Sequence, residues 1–418
     1  MKMKNNLFLS LVALTILMMS CSNDDTADIV INDNSVTNNN GGGGGGPVDP
    51  QTIFLSGTYN QDLTLDPNNT YKVNGSLVMA SGTTLTIPAG MTVQALAAGS
   101  DVYIAISQGA RIVANGTSSE PIVFTSDAAS PVAGDWGGLI LLGKAPINSV
   151  SGTATSTSEI AGLPYGGNDA ADDSGSLKYV RIEYSGGSAD GQSENNGLSF
   201  YGVGNTTVVD HIQIFEGKDD GVEFFGGTVN VDYVSVINLQ DDSIDWTEGY
   251  SGNISNVYIQ AIQNPTATLN SDKAFECDGY NDEFGNNSSP IFFSNPTVSN
   301  VTIIGVGSGN LFQDGSTQSA GAYEAIRLRR GTAGIFTNIV INGYGEAFDC
   351  DGNDTSDPTG AMIQNDMLQI VDVTFTDVIT KFKNDTGITT LTEADFISGE
   401  GNGTGTDYAT WGAGWTVE

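Results

Sequence analysis

Histidine occurs once, at His211, and lysine and arginine together occur 14 times against 49 aspartates and glutamates. A single imidazole leaves no serine, cysteine or histidine triad to assemble. So few bases, for a formal net charge of -35, argue against nucleic acid and anionic membrane surfaces as partners, because phosphate binding needs clustered cations. Only 15% of the residues are charged, so the lysine- and glutamate-rich faces of surface helices are nearly absent. What is abundant is glycine, at 54 residues, with 39% hydrophobic residues. That combination predicts short apolar strands cut by many turns, an all-β fold.

Of the three cysteines, Cys21 stands apart. The N-terminus reads "MKMKNNLFLSLVALTILMMSCSNDD", with two lysines and an apolar run too short to favour a membrane-spanning helix, as in a secretory signal. Small Ser20 before Cys21 resembles the lipobox of bacterial lipoproteins, with Met18 where leucine is more usual. The resemblance implies a signal peptide over residues 1–20, diacylation at Cys21 and anchoring by lipid. The following "SNDD" resembles the acidic signal that exports lipoproteins to the outer face of the outer membrane in Bacteroidetes. Residues 21–50 then form an acidic and glycine-rich tether, whose random-coil span is roughly 30 Å.

Residues 51–418 read as one repetitive domain. Segments such as "LKYVRIEYSGG", "VDHIQIFEG", "VDYVSVINL" and "ISNVYIQAI" alternate with a second kind, "DDGVEFFGG", "DDSIDWTEG", "KAFECDGY" and "EAIRLRRGT". Each alternates apolar and polar residues, as a strand with one buried face must. Minimal repeats are 22–24 residues long, which is too short for a propeller blade and fits the coil of a right-handed parallel β-helix solenoid. "LVMASGTTLTIPAGMTVQA", "YGGNDAADDSGSLKYVRIEYSGG", "DDGVEFFGGTVN" and the terminal "WGAGWTVE" resemble a family of mostly uncharacterised Bacteroidetes surface lipoproteins with a β-helix of the pectate-lyase-like class. The resemblance implies a fold and a location, and no settled chemistry.

In such a solenoid equivalent positions stack about 4.8 Å apart, so the repeats create columns. Leu198, Val222, Ile244, Phe275, Ile326 and Phe348 align inward, as do Phe200, Phe224, Trp246, Cys277, Leu328 and Cys350. Cys277 and Cys350 are therefore expected as buried free thiols, although the expected compartment permits a disulfide. Between these columns Ser199, Glu223, Asp245, Glu276, Arg327 and Asp349 face outward, flanked by a column through Asp220 and Asp242 and another through Asp278, Arg329 and Asp351. Like charges at that spacing repel by about 1 kcal/mol in water and about 3.5 kcal/mol at an effective dielectric near 20. Insertions at "SGGSADGQSEN", "QNPTATLNSD", "DGYNDEFGNNSSPIFFSNP" and "GSGNLFQDGSTQSAG" are expected on one side, walling a groove and presenting Tyr280, Phe284, Phe292 and Phe293 for sugar stacking or for packing.

Oxygen-rich clusters without histidine point to calcium. Candidate ligands are Asp219 with Asp220, Asp241 with Asp242, and the alternating Asp349, Asp351 and Asn353, spaced like a calcium loop; Asp169, Asp172 and Asp173 form a further acidic turn. Glu223, Asp245, Glu276, Arg327 and Arg329 make the candidate ligand-binding face, for glycans, calcium or both. No organic cofactor is indicated. If the protein is an enzyme, it is a polysaccharide lyase using Arg327 as base or a glycoside hydrolase using Asp220, Asp242 and Asp245. A third reading is an accessory subunit docked on an outer-membrane barrel protein.

Overall fold

The alternation of apolar and polar residues builds a ladder in which every repeat lies directly on the last. The computed structural model describes residues 50–148, 155–188, 195–262, 273–281, 290–309, 324–352 and 357–418. The expected signal peptide, Cys21 and almost all of the tether lie outside the described residues. The rest is a right-handed parallel β-helix: 22 strands join one continuous ladder. Antiparallel pairing among the described residues is confined to Ser156–Thr157 with Pro164–Tyr165 and a bridge between Thr117 and Glu120.

Each coil has three faces. The first carries the short strands Leu198–Tyr201, Val222–Phe225, Ile244–Thr247 and Phe275–Asp278, then Glu324–Arg329. The register matches that expected from sequence: Glu223 lies beside Asp245, Asp245 beside Glu276, Glu276 beside Arg327, and Arg327 beside Asp349. The column continues to Lys383. The apolar residues alternating with it point inward and are buried, so a slip by one residue would bring the acids into the core.

The other two faces come from single strands bent in the middle. Val208–Phe215 pairs with Asn230–Ile237 on both sides of His211 and Tyr233, which are themselves skipped. Their φ angles are 60° and 58°, and Tyr179, Asn256, Asn300, Asn338 and Asp372 at the equivalent corners are also left-handed. Such a conformation costs about 1–2 kcal/mol for a residue with a Cβ, and stacking along the column offsets it. Asn338 donates to Asn300 at 2.8 Å and Asn300 to Asn256 at 3.1 Å, while the His211 ring lies 4.2 Å from the rings of both Tyr179 and Tyr233. His211 Nδ1 lies 2.5 Å from Asp210 Oδ1 and its ring is held inside this stack, so the lone histidine is structural.

Cys277 and Cys350 are buried and free, as expected. Leu328 pairs with both, and this intervening coil puts the two cysteines about 9.6 Å apart, too far for a disulfide.

The C-terminal segment 399–418 turns back and runs along the outside, against the order of the coils. The Gly401 amide donates to the Val373 carbonyl, Thr404 N to Asn338 Oδ1 and Thr406 N to Thr302 Oγ1. The Tyr408 ring stacks 3.9 Å from Tyr258. Gln213 clasps Val417 with two hydrogen bonds, at 2.8 and 2.9 Å, and Arg181 donates to the Trp415 carbonyl at 2.9 Å. Outward side chains of the third face thus form the track for this strap. Trp415 is 1% exposed, so Trp415→Ala should cost about 3–5 kcal/mol locally. Hydrogen exchange should accelerate in residues 176–260 and leave the strand Gly99–Ile106 unchanged; uniform acceleration would mean the strap serves the whole solenoid.

Candidate functional site

Because the first face stacks acids in register, it must supply something to offset their repulsion, and it does so unevenly. At the higher coils the charges are matched. Lys273 Nζ lies 3.1 Å from Glu276 Oε1 and 3.5 Å from Asp242 Oδ1. Arg329 binds Glu276 directly and reaches Asp278 at 2.6 Å, where Arg330 also binds at 2.6 Å. Arg327 forks onto Asp351 Oδ2 at 2.8 and 2.9 Å. Its partner is therefore the acid diagonally above and not its in-register neighbours Glu276 and Asp349.

The lower coils are predominantly acidic. Asp219, Asp220 and Asp241 each bring an oxygen within 4.8 Å of the others, as do Asp220, Glu223 and Asp245, and Asp242, Asp245 and Glu276. Some of this acidity serves the backbone: Asp220 Oδ1 accepts from the Asp242 amide at 3.0 Å, and Asp242 Oδ1 from the Lys273 amide at 2.8 Å. Asn196 donates to Glu223. Asp245 Oδ1 and Thr247 Oγ1 are closed to solvent and have no hydrogen bond, and Thr247 is only 6% exposed.

Both line a cleft of about 70 Å³ with Glu159, Glu223, Glu276, Asp278, Arg329 and Arg330. That volume holds about two water molecules. Its carboxylates include Glu276 and Asp278, which the two guanidiniums bind, and Asp245 and Glu223, one and two coils before them.

Burial and then the Asp245 charge push Asp220 and Glu223 well above the usual carboxylate range. Burial and the Glu276 charge do the same to Asp245. Burial also acts to raise Glu276, but Lys273 and Arg329 overturn it and hold this carboxyl at about 2. Asp278, raised by burial against the pull of Arg329, sits at about 6. For Arg327 and Arg329 burial favours proton loss, but their acidic partners outweigh it and hold both guanidiniums above their ordinary value.

The described wall comes from a segment that sequence reading passed over. Residues 155–165 lie against the face through Tyr165, which packs edge-on to Tyr201 at 4.9 Å and donates to Glu248 at 2.8 Å, and they deliver Glu159 to the cleft. The length of chain between Leu142 and Gly175 was the available signal. The cores of the expected insertions, with Phe284, lie outside the described residues. Tyr280 is buried and packs edge-on to Phe293. Gly249, at φ 84°, leaves room where a Cβ would collide with the Phe292 ring. These three aromatics are packing groups.

Of the expected calcium ligands Asp349, Asp351 and Asn353, the first two lie together but on a strand. Asp349 and Asp351 belong to the strand Gly334–Asp351, where alternation puts both on one face of a ladder, not around a loop. They cluster with Asp385, and Asn353 lies outside the described residues. Asp169, Asp172 and Asp173 form a turn: Asp169 accepts from the Ala171 amide, Asp173 from the Gly175 amide and from Arg111.

A family model described as a pectate-lyase like beta helix domain matches residues 57–416. No curated protein and no solved structure matches the chain.

The raised carboxyls give stability a definite pH dependence. Their unfolded counterparts ionise near pH 4, so above that pH the folded protein holds protons that the unfolded chain has released, and stability falls as pH rises. Glu276 works in the opposite sense, contributing stability above its ordinary 4.5 that is lost as pH falls toward 2. In chelator, the melting temperature should peak at about pH 4–5 and decline toward pH 8, and Glu223→Gln should flatten the decline. A melting temperature that rises from pH 5 to pH 8 would contradict this assignment.

Proposed function

The chain belongs to the pectate-lyase-like β-helix domain family, and on that premise we propose that its acidic first face binds calcium together with an acidic glycan. The protein would be displayed on the outer membrane by lipid at Cys21. One observation carries the binding reading: the Thr247 hydroxyl, buried without a hydrogen bond, lines a cleft with stacked carboxylates and an arginine pair. A buried polar group left unsatisfied costs about 1–3 kcal/mol, which a ligand atom would recover.

The donor set fits a hard cation. Glu223 and Asp245, with Asp220 behind them, offer carboxylate oxygens within 4.8 Å of one another, with Thr247 as a neutral oxygen and no histidine or cysteine in the lining. Calcium accepts such ligands with irregular geometry and completes its shell with water. Bound there, it would supply positive charge to an anionic sugar. Arg329 and Arg330 line the same cleft, and their carboxylate partners fix the guanidiniums in place for a second contact with the sugar's acid group.

The same observations weigh against lyase chemistry by the arginines. A base must give up its proton, and Arg327 and Arg329 are held more firmly protonated than free arginine. Asp220 and Asp242, two of the three hydrolase candidates, each commit one oxygen to a backbone amide of the next coil.

Calorimetric titration with an oligouronate should therefore show binding that depends on calcium. Glu223→Gln with Asp245→Asn should weaken it about tenfold or more, the loss of roughly 1.4 kcal/mol, and no unsaturated product absorbing in the ultraviolet should accumulate. Equal binding in chelator would sink the cation reading, whereas ultraviolet-absorbing product lost in Arg327→Ala would restore the lyase.

A further inference from the structure

A second carboxylate cluster stands on the same face, three coils beyond Asp245 and so about 14 Å from it. Glu324 and Glu346 are direct ladder partners, an arrangement of like charges that is destabilising by itself. Asp349 joins them, each of the three offering an oxygen within 4.8 Å of the other two.

Lys383 is the cation at this place. Its Nζ lies 2.8 Å from Asp349, 3.3 Å from Asp385, 3.4 Å from Glu346 and 3.9 Å from Glu324. With every carboxyl ionised, four carboxylates against one ammonium would carry a formal charge of -3. Arg327, the nearest other base in the column, is spent on Asp351.

The buried oxygens point to what is missing from that balance. The Asp349 side chain is only 2% exposed; its Oδ2 accepts from Lys383, but its Oδ1 is buried without a hydrogen bond. The same is true of Glu324 Oε2, while Glu346 Oε2 has only the Lys383 ammonium, at 3.4 Å. A lysine ammonium has three protons, too few to satisfy the oxygens of four carboxylates at once. A divalent ion has no directional demand: two ligands opposite one another on calcium are about 4.8 Å apart, twice a bond of about 2.4 Å. Lys383 is 35% exposed, so that side is open to solvent and the side chain has room to swing toward the exposed Asp385.

We infer that Glu324, Glu346 and Asp349 form a second divalent-cation site of the calcium class, guarded by Lys383, which swings toward Asp385 when the ion binds. The all-oxygen donor set selects a hard cation over zinc or copper. This site is separate from the Glu223 and Asp245 cleft and stands whether or not that cleft takes a glycan.

The test is calorimetric titration of the chelator-treated, intact protein with calcium chloride. Two classes of site are expected, of which Asp349→Asn removes one while leaving the one that Glu223→Gln with Asp245→Asn removes. Glu346→Gln provides the same reading should Asp349→Asn not fold. Lys383→Met, which deletes the competing charge, should keep the site and tighten it about tenfold. Unchanged stoichiometry in the folded Asp349 or Glu346 variant would overturn the inference, and so would Lys383→Met binding no more tightly than the parent. Either result would make Lys383 a permanent counter-ion.

Discussion

Parallel stacking of coils about 4.8 Å apart is the constraint on which everything else in this protein depends. It repeats each position vertically, so a residue type tolerated once in a coil meets its own kind above and below. Inward, the repetition builds a continuous apolar core from Leu198 to Phe348. Outward, it sets Glu223 on Asp245 and Asp245 on Glu276. The fold cannot have the first without risking the second, and the identity of the outward residue is the only freedom left.

Followed from its start, the outward column of the first face shows how that freedom is used. Val78, Ala105 and Ile140 come first, in ladder register, then Ser199, the acids, Arg327, Asp349 and Lys383. The apolar part is covered by a second small core in which Ile147, Ile160, Leu163 and Tyr165 pack on Ala105, Ile140, Tyr201 and Phe225. The third face is covered by the C-terminal strap. The acidic stretch lies beyond the cover on the first face, so burial by the 155–165 wall and openness to a ligand meet along one edge. That junction is where the cleft lies.

The columns were legible in the sequence because alternation has a period of two and any other register would bury acids. The left-handed corners at Tyr179, His211 and Tyr233 were not, since tyrosine and histidine carry no signal for that conformation; only Asn256, Asn300 and Asn338 do. Glu159 and the strap escaped for a different reason. Each acts across long sequence separations, 64 residues from Glu159 to Glu223 and 204 from Gln213 to Val417, and outside the repeat nothing periodic reports such a contact. Sequence reading could therefore place the acids in space but not say which of them had a counter-charge. Nor could sequence say whether Asp349 and Asp351 lie in a loop or along a strand, because acids spaced two apart suit both.

The contrast between Asp245 and Glu276 carries the physical argument furthest. They are adjacent in one column, line the same cleft and are separated by one coil, yet their carboxyls are driven in opposite directions. Burial acts alike on both; the difference is that Lys273 and Arg329 converge on Glu276. At Asp245 their more distant charge does not outweigh burial and the acids Glu276 and Asp278. A column of identical charges is thus divided into a part neutralised from within and a part that relies on protons or on cations from outside. Neutral water satisfies that second part only by protonation, at the expense of its ability to bind. In an environment that supplies divalent ions the same carboxylates stay ionised, and the cost of stacking them becomes affinity for whatever brings the positive charge.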